Sequence, residues 1–227
     1  MPRHTPGSLT AVAGLAASLL ALSSLFSFSV WAGGALPSLD APELAQGPYS
    51  SMHMLLQKTV LKINVATVDV RVDRPTQSRF AELARDKPYS YELDAQLAAT
   101  AIGAARATVQ MQFVRDIPLH RWMGVVRDNM ELARQAGLIT PDIEHKISEA
   151  IPQWFAPLAD RGYQKGDRLI YAVSPDALRT VVISASGQLL LDLSEREQGA
   201  RKVVLASYFA PKSDTREALI RSLVEKR

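Results

Sequence analysis

The chain has no cysteine among its 227 residues. Thiol chemistry, disulfides and lipid attachment at a cleavage-site cysteine are therefore excluded, and an exported form of this chain has to rely on its core alone. Histidine is scarce too: the four at positions 4, 53, 120 and 145 fall nowhere at metal-ligand spacing, so no metal site is expected. No glycine-rich phosphate loop follows a strand and no G-x-S-x-G elbow occurs, so no cofactor is expected. The acid pair Glu195/Glu197 sits in a polar turn and reads as solvated. Charge of one sign is also lacking. The 26 basic side chains stand against 23 acidic ones without clustering, which argues against nucleic acid as a partner.

Long uncharged runs are confined to the N-terminus. Arg3 precedes residues 9–30, which are almost free of charge, and Val30-Trp31-Ala32 places small residues where a signal peptidase reads. Residues 1–32 are therefore expected to be a cleaved export signal, with a periplasmic or secreted destination. The alternative is an uncleaved anchor, because residues 9–30 come close to the roughly 20 needed to span a bilayer. Any membrane association is expected only through that run. Loss of the leader removes Arg3 and no acid, so the balance stays near neutral. Residues 33–51, with Gly33, Gly34, Pro37, Pro42, Gly47 and Pro48, read as a linker or lead-in, and residues 52–227 as one folded domain.

Within that domain, residues 60–72 have strand composition, but their alternation changes phase. Ile63 and Val65 share one face, and Val68, Val70 and Val72 the other. A bulge near Ala66-Thr67 would restore a common buried face, and a long edge strand crossing between environments is the alternative. Residues 76–85 and 93–106 read as helices. Val109, Met111 and Phe113 alternate with Gln110 and Gln112 as a half-buried strand.

Between Pro118 and Gly137, Trp122, Val126, Met130 and Ala133 recur at helical spacing, with Gly137 as a left-handed stop. Thr140 caps a second helix that has Pro141 in its first turn and Pro152 as an interruption. Residues 168–173, 179–184 and 188–193 form an antiparallel meander, and a helix over 199–208 follows. Asp214 with Glu217 reads as the capping box of the last helix. The whole predicts an α+β fold, a sheet covered by a layer of helices.

Asn129 stands out. It lies seven residues after Trp122 and three after Val126, on the stripe directed into the fold. A buried amide needs a hydrogen-bond partner, supplied by the fold or by a ligand.

The stretch Phe113-Val114-Arg115-Asp116-Ile117, then Trp122, the Asp128-Asn129 pair, Gly137-Leu138-Ile139-Thr140, the Lys165-Gly166-Asp167 turn, Gly187 and Ser207-Tyr208-Phe209 resemble the pattern of the chalcone isomerase family. The likeness extends over residues 52–227 and is nearer to bacterial exported chalcone isomerase-like proteins. It implies an open-faced β-sandwich: a large antiparallel sheet with a layer of helices and an apolar cleft between them. In the enzymes of that family the cleft closes a flavanone ring; in fatty-acid-binding relatives an arginine pairs with the ligand carboxylate.

Carried across residue by residue, Asn129 matches the family asparagine and Ser207 a family hydroxyl. Trp122 stands for a tyrosine, Asn64 for a strand threonine and Val125 for a lysine. The arginine position falls near Met52, and a thioether cannot replace a permanently charged planar fork. The resemblance thus implies a chain without chalcone isomerase activity, in which Asn64, Trp122, Asn129 and Ser207 line a cleft for a small apolar or amphipathic ligand, fatty-acid-like or phenolic. The alternatives are an isomerase, of intramolecular-lyase type, with an unknown substrate, or a scaffold or partner-binding protein whose cleft is filled by Met52, Met54 and their neighbours. A cation such as His53 or Lys58 turned toward Asn129 would favour the isomerase or a carboxylate ligand.

Overall fold

The computed structural model describes residues 35–58, 63–196 and 199–225. The expected export signal, Lys62, Glu197 and the side chain of Lys58 lie outside the described residues.

Strands β1 (Ser51–Lys58) and β2 (Ile63–Val72) are followed by helices α1 (Arg74–Ala84) and α2 (Tyr91–Ile102), then strand β3 (Ala107–Phe113). Helices α3 (Leu119–Gln135) and α4 (Pro141–Trp154) come next, ahead of strands β4 (Arg168–Val173), β5 (Leu178–Ile183) and β6 (Leu189–Glu195). Helices α5 (Ala200–Phe209) and α6 (Arg216–Glu225) complete the described chain. The strands form one sheet in chain order, and each neighbouring pair is antiparallel. The fold is α+β: an open antiparallel sheet with a helical layer, as the residue pattern predicts. No helix among the described residues is long and apolar enough to cross a membrane.

Register follows from alternation. One row runs across all strands as Met52, Val70, Val109, Tyr171, Thr180 and Leu193, and the next as Met54, Val68, Met111, Leu169, Val182 and Leu191. Both rows belong to the face that meets the helices, where the core lies. The predicted phase change is real and falls one residue early. Leu56 pairs with Ala66 and Gln57 with Asn64, so Val65 is the extra residue of a bulge. Val65 and Ala66 are both buried in consequence.

Local chemistry holds the helices in place. Asp73 caps α1: one carboxylate oxygen accepts from Thr76 N–H at 3.0 Å and the other from Arg106 N–H at 2.8 Å. Ser90 and Thr140 cap α2 and α4. Asp167, 1% exposed, takes Arg161 at 2.8 Å together with the Gln164 and Ala185 amides. Gly162, at φ +61°, lies so close to Ile117 that a Cβ would meet its carbonyl oxygen at 2.6 Å. Pro152 stays inside α4, which ends two residues later at Trp154 and continues as a single 3-10 turn. Helix α6 starts at Arg216, and Ser213 holds its entry by accepting from Thr215 N–H at 3.3 Å. Asp214, just ahead of it, lines the space between sheet and helices.

Candidate functional site

A cleft lies between the sheet and helices α3, α4 and α5. Its walls are mostly hydrocarbon: Leu56 and Met111 on the sheet, Val126 and Met130 on α3, Ile147 and Ile151 on α4. It encloses about 80 Å³, below the roughly 150 Å³ of an engineered cavity that admits benzene. A short segment of a ligand fits this space, and a bulky one requires the helices to part.

Three of the four residues singled out in the sequence line this cleft. Trp122, 5% exposed, packs edge-on against Phe113 and Tyr163 at centroid distances of 5.6 and 5.8 Å, while those two rings stack at 4.1 Å. Its indole N–H is buried without a hydrogen-bond partner among the described residues, and so is the Ser207 hydroxyl. Each such orphan carries a desolvation cost. Asn129 also lines the cleft but is only half-buried, and its side chain makes no hydrogen bond to the described residues. The expectation of a deeply buried amide is thereby corrected: at the edge of the cleft it keeps access to water.

Asn64 does not reach the cleft. It is exposed at the start of β2, where its Oδ1 accepts from Gln57 at 2.8 Å. The Val65 bulge is the reason, because it turns Asn64 onto the face that carries Gln57. His53 sits on that face as well, its Nδ1 2.7 Å from Asp69, so it does not point toward Asn129. Met52 and Met54 are buried in the core without lining the cleft, and Leu56 takes that place.

The sheet contributes polar groups that sequence reasoning missed. Tyr171 on β4 and Thr180 on β5 are directly paired across strands and both face the cleft. Tyr208 on α5 donates its hydroxyl to the Met111 thioether at 2.9 Å, a weak acceptor. Burial pushes the Tyr171 hydroxyl above its ordinary pKa. It does the same for Tyr163 and Tyr208, with the neighbouring tyrosines adding to the shift. Asp214, engaged by a polar interaction of its own, is the one carboxylate among the described lining residues, and none of these is cationic. The arrangement solvates uncharged polar atoms in an apolar space. It offers no guanidinium to stabilise a developing anion.

No protein-family model matches the chain, and no curated protein sequence matches it. Among solved structures, the chain is similar to a fatty-acid binding protein of Arabidopsis thaliana, with a TM-score of 0.54 at 11% identity, covering 84% of this chain and 91% of that one. At that identity the likeness establishes the fold, which is chalcone isomerase-like.

Proposed function

We propose that this chain is an exported, non-catalytic chalcone isomerase-like protein whose interlayer cleft binds a small apolar or amphipathic ligand, fatty-acid-like or phenolic. The observation that carries the reading is the cleft itself: hydrocarbon walls around two buried polar groups, Trp122 N–H and Ser207 O–H, that no described residue satisfies. The fold shared with a fatty-acid binding protein adds support. Catalysis of the family type is disfavoured because Trp122 only donates a hydrogen bond where a tyrosine would also ionise. Export rests on residues 1–32, and sequencing the mature N-terminus tests it: a start near residue 33 is expected, and an intact leader overturns cleavage.

The test of binding is to purify the chain from its export compartment and identify co-purified small molecules by mass spectrometry, together with thermal-shift titration of fatty acids and phenolics. A bound amphiphile or a ligand-induced rise in Tm is expected. An empty cleft with no shift across both series overturns the reading in favour of a scaffold, which the small enclosed volume of about 80 Å³ also fits.

A further inference from the structure

Resting on the ligand-binding reading above, we propose that the polar end of the ligand is an uncharged oxygen acceptor, an ester or ketone carbonyl, received on the sheet side of the cleft by the Tyr171 and Thr180 hydroxyls, and that a carboxylate is rejected. The argument starts from register. Along β1 to β5 the positions that face the helices are occupied by Met52, Met54 and Leu56, by alanine and valines on β2, and by Ala107, Val109, Met111 and Phe113 on β3. Leu169, Val173, Leu178 and Val182 continue the pattern on β4 and β5. Tyr171 and Thr180 are the two exceptions, and they are cross-strand partners in one row.

Both are deeply buried, at 9% and 4% exposure. Neither hydroxyl hydrogen-bonds another described residue, and both side chains line the cleft. Phenylalanine and valine would fill the same volumes without a polar atom to desolvate. Hydroxyl-bearing side chains at paired positions, on a face otherwise built of hydrocarbon and thioether, point to a partner from outside the chain. Two O–H donors on adjacent strands match the two lone pairs of one carbonyl oxygen.

The charge preference follows from the same surroundings. The burial that raises the Tyr171 hydroxyl's pKa opposes any anion at that spot, the carboxylate of a ligand included. The described lining supplies no cation to offset that penalty. The enclosed volume suits a head group and a few carbons.

The test uses the full chain and two probes that share a ten-carbon acyl group, methyl decanoate and decanoic acid, followed by the fluorescence of Trp122 and Trp154, which both line the cleft. At pH 7.5 the ester is expected to bind at least about tenfold more tightly than the acid. The acid should regain affinity as the pH falls toward its own pKa. Tyr171→Phe and Thr180→Val, each checked for an unchanged cooperative thermal transition, should weaken ester binding about five-fold. An acid that binds as tightly as the ester, or variants that bind the ester as the unsubstituted chain does, would overturn the proposal while leaving the ligand-binding reading intact. Binding of neither probe, with no shift in the fatty-acid and phenolic series, removes the ligand-binding reading and this proposal with it.

Discussion

The two halves of the interlayer differ in kind. Over β1, β2 and β3 the helix-facing positions are hydrocarbon and thioether, and Val68, Val70, Val72 and Val109 are fully buried. Over β4 and β5 the same alternation carries hydroxyls on Tyr171 and Thr180, which line the cleft along with Leu56 and Met111, and burial makes the hydroxyls of Tyr171 and the nearby Tyr163 and Tyr208 hard to ionise. The dry half shows what close packing alone requires of this sheet. The polar half departs from it at two positions that line the cleft, and close packing does not call for their hydroxyls.

Substitutions along the row of Met52, Val70, Tyr171 and Thr180 test the contrast. The largest effect is expected from Met52→Arg, which puts an unpaired charge into the dry half and should cost about 4 kcal/mol in denaturant unfolding. Retained stability with isomerase activity above that of the unsubstituted chain would instead show that a guanidinium at this position suffices for that chemistry. Next comes alkaline pH. The three buried tyrosines hold folded-state pKa values above the unfolded value of about 10, so their protonated forms support the fold fully below that pH, and stability should fall as pH rises past it. The slope is about 1.4 kcal/mol per pH unit for each tyrosine, read as a shift in denaturation midpoint, and Tyr171→Phe should flatten it by about one such share. A flat profile from pH 9 to 11 would break the contrast.

Smaller effects sharpen it. Val70→Thr adds a hydroxyl to the dry half at constant shape and should cost about 2 kcal/mol. The reverse change in the same row, Thr180→Val, should leave stability within about 1 kcal/mol of its starting value or raise it, since no protein partner is orphaned. Equal penalties for both changes would mean that the two halves are packed alike.

Much of this architecture was legible along the chain. The strand over Arg168–Val173, the Thr140 cap and the two helices after β3 follow from alternation, helical spacing and turn chemistry, all local properties. Trp122, Asn129 and Ser207 do share a cleft. What failed was non-local. Asn64 takes the place of a family threonine on its strand, and a bulge one residue away reverses its face. Tyr171 and Thr180 went unnoticed because alternation within one strand cannot say which of its faces the helices will cover. Only the pairing of Tyr171 with Val109, a clearly buried position, gives that answer. The amide of Asn129 was expected to be deeply buried, and the width of the cleft leaves it at the edge instead.

Asp73 carries a consequence for how the chain tolerates change. Its carboxylate grips the start of α1 and the amide of Arg106, and its own N–H donates to the Arg106 carbonyl at 3.1 Å. The α1–α2 hairpin therefore leaves the sheet through a pinched neck and returns through it. Residues added at its far tip, beside Asp86, would lengthen an appendage without disturbing the register of β2 against β3. With the neck loosened, α2 would still be held by its packing on α5 and α6 and by the Asp94–Arg216 ion pair, so the pinch sets where the hairpin joins the sheet rather than whether it stays.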